Sequence, residues 1–220
     1  MENLHCPLCD SIESELIVES DYRHQISRRY HHCKNCDLVF VHPEDRLLRD
    51  EEFSRYESHE NDPEDPRYRK FLSQLLDPML ERIKPGSYGL DFGSGPGPTL
   101  NLMFEEKGHQ MRIYDFFYEN DHSVFDDKYD FITTSETAEH LFNPLDEFDR
   151  LWNCLKEGGY LGIMTSQAPE NEDFEQWHYT NDDTHVIFFR PKTFKWMAKR
   201  WNADLEILND RVVIFKKGVK

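Results

Sequence analysis

The chain has 220 residues, of which 38% are hydrophobic and 31% are charged. This length suits one medium-sized domain with a small addition, and the apolar content is sufficient for a packed core. The 43 acidic and 26 basic side chains give a formal net charge of −17, which opposes binding to nucleic-acid phosphates. Neither a secretory signal nor an apolar run of the roughly 18 residues that span a membrane is visible. We therefore expect a cytoplasmic protein that acts on a small molecule, without a membrane or nucleic-acid partner.

Four of the five cysteines form two Cys-x-x-Cys pairs near the N-terminus. Two such turns can place four thiolates around one tetrahedral Zn²⁺, and a closed four-sulfur site is structural because no coordination position remains open. Short β-prone runs around the pairs favour a zinc-ribbon-like module over residues 1–43. The alternative is a set of unligated or redox-active thiols. The predicted metal ligands are Cys6, Cys9, Cys33 and Cys36.

Other polar residues of this module allow further interpretations. His5, His31 and His32 are close enough in sequence to the cysteines to replace one of them as a ligand. Three arginines between the pairs could grip an anionic substrate group, although solvated hairpin charges are the simpler interpretation. These arginines are Arg23, Arg28 and Arg29.

The middle of the chain reads as a connector followed by a helix. Residues 44–66 are acidic and contain prolines, and apolar residues recur at helical spacing over 68–83. Pro78 predicts a kink or two shorter helices there. We therefore assign 44–86 to an acidic connector and a helical segment.

From residue 87 onwards, strands and helices alternate, which predicts an α/β fold with helices on both faces of an open sheet. The last two strands are close enough in sequence to form an antiparallel hairpin. The predicted strands cover 88–92, 111–114, 129–134, 160–165, 205–208 and 212–216, and the predicted helices cover 98–107, 144–155 and 191–201.

A glycine-rich loop at residues 93–97 leaves the first of these strands and enters a helix. Glycines in such a loop let the backbone turn sharply and approach a ligand. Asp115 ends the next strand, where an acidic side chain can accept hydrogen bonds from both hydroxyls of a ribose. The dinucleotide pattern G-x-G-x-x-G is not met, because residue 98 is proline.

The observed pattern, Asp-x-Gly-x-Gly-x-Gly, resembles that of class I S-adenosylmethionine-dependent methyltransferases. Residues 129–141 are similar to the fourth strand of that family and its Glu-x-x-Glu-His turn, and residues 155–161 to the turn before the fifth strand. The resemblance covers most of 87–220 and implies a Rossmann-like domain with S-adenosylmethionine as cofactor. The cofactor-binding residues that it implies are Asp91, Gly93, Ser94, Gly95, Pro96, Gly97, Asp115, Phe116, Phe117, Ser135 and Glu136.

The chain departs from the family pattern between its second and fourth strands. Residues 119–128 are too few for the usual third strand and the helix before it, so we expect this region to be shortened or missing. The polar contact to adenine normally follows the third strand. Asp126 or Asp127 could take its place.

Four residues are candidates for a general base or an orienting group. His140 follows a strand at the edge where open α/β sheets bind ligands, and His178, Tyr179 and His185 lie after the fifth strand, where this family often inserts substrate-covering structure. The Glu136-x-x-Glu139-His140 pattern also resembles that of ubiquinone-pathway O-methyltransferases, in which these positions can hold a divalent cation.

The acceptor that the sequence favours is a sugar or a secondary metabolite. Natural-product methyltransferases, including deoxysugar C-methyltransferases, resemble this layout of a zinc module before the catalytic domain. Two alternatives remain open: an RNA methyltransferase that uses the zinc ribbon as its reader, and a non-catalytic protein that keeps the cofactor-binding fold.

Overall fold

Two β-sheets organise the part of the chain that this computed structural model describes, residues 4–20, 27–48, 51–53 and 62–219. Within these residues, no helix combines the length and apolar character that a membrane crossing requires. The strands are β1 (Ser14–Ser20), β2 (Arg28–Cys33), β3 (Val39–Val41), β4 (Tyr88–Phe92), β5 (Gln110–Tyr114), β6 (Tyr129–Ser135), β7 (Leu155–Met164), β8 (Ile187–Phe188), β9 (Asp204–Ile207) and β10 (Val212–Lys216). The helices are α1 (Pro66–Leu80), α2 (Leu100–Glu105), α3 (Pro144–Cys154), α4 (Asn171–Phe174) and α5 (Pro191–Trp201).

The larger sheet has six strands in the order β5-β4-β6-β7-β10-β9. Strands β5, β4, β6 and β7 are parallel, whereas β10 runs antiparallel to both β7 and β9. This is the predicted Rossmann-like methyltransferase sheet, and the predicted C-terminal hairpin forms its β9 edge.

Helices cover both faces of this sheet, and the side chains of each strand alternate between them. On β6, Phe131 packs with α1 and α2, whereas the next residue, Ile132, belongs to the core under α3 and α5. In the same way on β10, Ile214 packs in the core with α1 and α2, and Phe215 packs in the core under α3 and α5. Burial of both faces explains why β10 is a continuous apolar run over 212–215.

The predicted loss of the third strand is confirmed, because β5 is the edge of the six-stranded sheet. Between β5 and β6, the described residues form a 3₁₀ turn, His122–Asp126, and no strand. Phe125 of this turn packs against Tyr114 with a ring-centroid distance of 4.8 Å. A short turn therefore covers the side of the sheet that the missing elements would protect.

Three elements differ from the sequence predictions by more than one residue at an end. Helix α1 is single, because its buried face, with Leu75 and Met79, fixes it by packing despite Pro78. Strand β7 begins at Leu155, inside the segment predicted as a helix end and glycine turn, and its pairing with β6 shifts register between Tyr129 and Phe131. Helix α2 is shorter than predicted at both ends.

The smaller sheet joins the cysteine segment to a distant part of the chain. Its order is β1-β2-β3-β8, and β8 is antiparallel to β3 with Val39 opposite Phe188. The division of the chain at residues 43 and 86 stays a prediction. The structure adds that the sheet of the cysteine module takes its fourth strand from the segment after β7.

Candidate functional site

A cavity of about 430 Å³ lies at the carboxyl ends of β4, β5 and β6. Strands β5 and β6 lie on opposite sides of β4, so this is the switch point at which open α/β sheets bind ligands. One wall contains residues 92–96 and 114–118, and the other contains 135–137 and 139–143 together with Asp182 and His185. Four further lining residues come from elsewhere: Glu52, Tyr68, Glu147 and Arg150.

The glycine loop, part of the first wall, packs closely against the second wall. Gly93 has a φ of +81° and Gly95 a φ of +67°, a region that favours glycine. A Cβ atom on Gly93 would lie 2.2 Å from both Cγ2 and Oγ1 of Thr137. Glycine at residue 93 therefore suits the backbone conformation, as predicted, and the structure adds that it allows close contact with the loop after β6.

Asp115 anchors both segments of the first wall. Its Oδ2 accepts a hydrogen bond of 2.8 Å from the amide of Gly95, and its Oδ1 accepts from the amides of Phe117 and Tyr118 at 2.9 and 3.1 Å. A carboxylate offers about four acceptor positions, so these bonds leave about one for a ligand. The sequence predicted a ribose contact for Asp115, and the structure adds this anchoring role.

The other predicted cofactor residues fall into two groups. The first group lines the cavity and comprises Gly93, Ser94, Gly95, Pro96, Asp115, Phe116, Phe117, Ser135 and Glu136. Asp91 and Gly97 are not among the lining residues. Asp91 is buried under the loop, accepts a hydrogen bond of 3.0 Å from Thr133 Oγ1, and has its pKa raised by burial to about 7. Asp126 and Asp127 do not line the cavity either, and Asp127 accepts from the hydroxyl of Tyr88 at 2.8 Å.

The second wall carries two buried carboxyl groups that share a tyrosine. The hydroxyl of Tyr179 donates to Oε1 of Glu139 and lies 3.2 Å from Oε2 of Glu136. Burial and the charge of Glu139 raise the pKa of Glu136 to about 8, and burial raises the pKa of Glu139 to about 7. Arg211 partly offsets this, because its Nη1 lies 3.6 Å from Oε1 of Glu136. Near neutral pH, each of these two carboxyl groups is therefore partly protonated.

Glu136 also has a positive φ of +47°, which is uncommon for a residue with a side chain. Its amide donates to the carbonyl of Met164 at 2.8 Å, so the last strands of the parallel part of the sheet hold this conformation. Backbone strain of this kind clusters at functional sites. A single sequence gives no signal for it, because the residue type is not one that favours the left-handed region.

His185 presents an unprotonated nitrogen beside these carboxyl groups. Its Nδ1 lies 2.7 Å from the carbonyl oxygen of Tyr179, and a carbonyl can only accept, so Nδ1 carries the proton. Burial and the neighbouring His140 lower the pKa of His185 to about 3, so the ring is neutral at pH 7. Its Nε2 lies 3.8 Å from Oδ2 of Asp182 and 4.0 Å from Oε1 of Glu139.

Of the four candidate catalytic residues, His140 and His185 line the cavity. Their rings lie 4.8 Å apart, and Nδ1 of His140 is 3.1 Å from the carbonyl of Thr184. Tyr179 is buried behind them, whereas His178 is exposed and does not line the cavity. Ligand atoms of Glu139, His140 and His185 lie within 4.8 Å of one another, a set that differs from the predicted divalent-cation pattern by replacing Glu136 with His185.

The four paired cysteines come together at a second site. Sγ of Cys6 lies 3.6 Å from that of Cys36, Sγ of Cys9 lies 3.5 Å from that of Cys33, and all four sulfurs are within 4.8 Å of one another. Zn–S bonds of about 2.3 Å in a tetrahedron require sulfur separations of about 3.8 Å. The spacing fits zinc. Neither His5, His31 nor His32 belongs to this group of described ligand atoms.

Both cysteine turns repeat one geometry. Asp10 and Asp37 each follow the second cysteine of a pair, with φ values of +59° and +67°, and each donates its amide to the first cysteine's carbonyl at 2.9 Å. Aspartate tolerates the left-handed region better than most residues. The repeated Cys-x-x-Cys-Asp pattern was available in the sequence as a signal for two equivalent turns.

The arginines of the module have different environments. Arg28 is buried and donates to backbone carbonyls in the segment after β7. Arg29 pairs with Asp45 and Glu44 at 2.7 and 3.0 Å, within the N-terminal segment. Arg23 lies outside the described residues.

Comparisons with known proteins agree with this fold. The family described as "Methyltransferase domain" matches residues 65–208. A presumed methyltransferase from Bacillus halodurans is similar, with 22% identity over 63% of this chain and 68% of that chain and a TM-score of 0.51. A chain from the complex between the Haloferax volcanii Trm112 methyltransferase activator and its presumed methyltransferase has 12% identity over 79% of this chain and 100% of that chain, with a TM-score of 0.53. Among proteins with curated descriptions, none matches significantly.

The fold and the cavity at its switch point define an α/β protein with a methyltransferase-type sheet. The family match covers more than half of the chain, which therefore belongs to the methyltransferase-domain family. The prediction of an S-adenosylmethionine-dependent methyltransferase is confirmed at this level.

Proposed function

We propose that this enzyme transfers a methyl group from S-adenosylmethionine to a small-molecule acceptor in the cavity between the glycine loop and the acidic wall. The observation that supports this most is the arrangement of the two walls. A tight glycine loop anchored by Asp115 lines the same cavity as Glu136, Glu139 and His185. Methyl transfer is an in-line displacement, so one cavity that holds both donor and acceptor supplies the alignment it needs.

The residues present fit the methyl donor, which supplies an electrophilic methyl group on a sulfonium when bound. The cavity wall holds buried polar atoms that have no hydrogen-bond partner among the described residues, namely Oγ of Ser94, Oε1 of Glu136 and Oε2 of Glu139. Residues 93–96 would hold the methionine end, Asp115 the ribose, and Phe116 or Phe117 the adenine face. Asp91 would support the loop from below, and Gly97 would connect it to the residues before α2.

The charge of the cavity restricts the acceptor. Among the described lining residues, Arg150 is the one that carries a guanidinium, whereas six residues carry a carboxyl group. Such a lining disfavours an anionic acceptor and favours neutral or cationic acceptors. This supports a hydroxyl or amine acceptor, such as a sugar or a secondary metabolite, and opposes an RNA substrate. The six carboxyl residues are Glu52, Asp115, Glu136, Glu139, Glu147 and Asp182.

His185 is the group that we place next to the acceptor proton. Its Nε2 is unprotonated, and after it takes a proton the ring is stabilised by Asp182 and Glu139, at 3.8 and 4.0 Å. Because the pKa of His185 is about 3 and that of Glu139 about 7, Glu139 in its ionised form is the stronger base and holds the proton afterwards. Tyr179 positions both groups through its hydroxyl and its carbonyl.

For the cysteine site we propose one structural Zn²⁺, held by Cys6, Cys9, Cys33 and Cys36. The support is the mutual spacing of the sulfurs and the burial of three of them. Four protein ligands leave no open position, so the ion stabilises the fold rather than activating water. Free thiols that can bind a metal are typical of a reducing compartment, so we propose that the protein works in the cytoplasm.

The test of the function is the release of S-adenosylhomocysteine in the presence of S-adenosylmethionine and a panel of acceptors. We expect turnover with neutral hydroxyl or amine compounds, little with their phosphorylated counterparts, and a loss of at least about 100-fold in kcat for His185→Gln. Turnover confined to RNA, together with salt-sensitive RNA binding, would favour the alternative of an RNA methyltransferase that recognises RNA through its zinc ribbon. Donor binding without turnover on any acceptor class would favour the non-catalytic alternative.

The affinity for S-adenosylmethionine is expected to rise with pH between about 6.5 and 8.5. In the free protein, Glu136 and Glu139 are partly protonated because their pKa values are about 8 and 7. A bound sulfonium favours the ionised carboxylates, so binding releases protons and strengthens by up to about tenfold as they ionise. Titration calorimetry in two buffers with different ionisation enthalpies measures both effects.

Glu136→Gln is the comparison for this prediction, because the amino group of the donor titrates in the same pH range. The variant should lose most of the protein's share of the pH dependence and of the proton release. Equal pH profiles for the wild type and Glu136→Gln would contradict the placement of the sulfonium beside this carboxyl pair.

A further inference from the structure

Arg28 belongs to the cysteine module, yet its side chain serves the segment that carries His185. It lies on β2 and is only 2% exposed. Nη2 donates to the carbonyl of His185 at 2.8 Å, and Nη1 lies 3.4 Å from the carbonyl of Asp182. The guanidinium carbon also lies 5.6 Å from the ring centroid of Tyr30 on the same strand. One guanidinium therefore fixes two carbonyls, at both ends of the turn that bears His185.

Backbone hydrogen bonds also connect the cysteine module to the cavity. The amide of Val41, at the end of β3, donates to the carbonyl of Val186 at 2.9 Å. The amide of Val186 in turn donates to the carbonyl of Glu139 at 2.8 Å. The module strand is thus connected through one residue to the acidic wall of the cavity.

We infer that the cysteine module positions the acceptor side of the cavity, with Arg28 as the positioning residue for His185. This inference deepens the proposed function and rests on it for the role of His185. The module carries no residue that lines the cavity among those described before Glu52. Its contribution is to hold the backbone of the turn that contains His185.

The orientation of the His185 ring depends on this backbone. Nδ1 donates to the carbonyl of Tyr179, which lies six residues earlier, before the turn at Asp182, so the two backbone positions must keep their distance for the bond to form. Arg28 holds the His185 end of the segment 179–185. Without the donors of Arg28, two carbonyls lose a buried partner. The segment is then less constrained, and the hydrogen bond that favours the Nδ1-protonated ring weakens.

The test uses the tautomer of His185 at a fixed pH of 7. Long-range ¹H–¹⁵N spectra of histidine-labelled full-length protein report which ring nitrogen carries the proton, and His185→Gln identifies the signal among the 11 histidines. The wild type should show His185 protonated on Nδ1. Arg28→Ala should shift it toward the Nε2-protonated form that free histidine prefers, with an S-adenosylmethionine Kd within about threefold of wild type.

Arg29→Ala is the matched control, because Arg29 lies next on β2 and pairs with Asp45 instead. It should leave the His185 signal unchanged. If Arg28→Ala does not fold, Arg28→Lys keeps the charge but cannot serve two carbonyls with a planar fork, and it should show the same shift to a smaller extent. A folded Arg28 variant with the wild-type His185 signal overturns the inference. Absence of S-adenosylmethionine binding in the wild type would instead overturn the proposed function, since the tautomer readout does not depend on the donor.

Discussion

Gly93→Ala is expected to weaken S-adenosylmethionine binding by on the order of 100-fold or more, equivalent to about 2.7 kcal/mol. Two effects add at this position. The φ of +81° costs an L-residue roughly 1–2 kcal/mol, and the new Cβ would lie 2.2 Å from Thr137, so the two cavity walls must separate. Titration calorimetry on the variant measures the loss.

Gly86→Ala is the control that separates these effects. Gly86 has a similar φ of +73°, but a Cβ there meets no atom within 4 Å. Its substitution should lower stability modestly and leave the affinity for the donor close to that of wild type. If Gly93→Ala binds the donor as Gly86→Ala does, the loop does not form the donor site.

Cys33→Ser is expected to lower the zinc content from about one ion per chain to a small fraction and to lower the thermal midpoint by about 10 °C. Cys33 is fully buried and shares the core with Leu38 and Phe40. A structural zinc site contributes to folding free energy, and each kcal/mol shifts the midpoint of a chain of this size by roughly 2–4 °C. Elemental analysis and thermal unfolding measure the two effects.

Cys154→Ser provides the matched comparison. Cys154 is also buried, but it lies outside the sulfur cluster and donates to the carbonyl of Phe125. It should keep a full equivalent of zinc. Retention of zinc by Cys33→Ser would contradict the four-thiolate assignment, even if the variant were less stable.

The sequence predicted those parts of the fold that depend on local patterns. Helix α5 begins at Pro191 and ends at Trp201 as predicted, because proline suits a first helical position and the buried face repeats at helical spacing. Strand β10 also matches its prediction. The loop at residues 93–97 was recognisable because its glycines are needed for local backbone geometry.

The parts that the sequence did not predict depend on contacts between distant residues. The pairing of β3 with β8 joins residues about 150 positions apart, and β8 is only two residues long, too short for a periodic signal. The burial of Arg28 has the same origin, since a basic residue in a hairpin is usually solvated. The shared hydrogen bonds of Tyr179, Glu136 and Glu139 likewise arise only when the segment after β7 folds back over the sheet.

Calorimetric titration of S-adenosylmethionine into the wild type and Asp115→Ala tests the central claim most directly. Asp115 ties the glycine loop to the segment at 117–118, and we propose that it also contacts the ribose. We expect one binding site per chain in the wild type and an affinity at least about 30-fold lower in the variant, equivalent to about 2 kcal/mol. No binding by the wild type, or equal binding by Asp115→Ala, would contradict the assignment of this cavity as the methyl-donor site.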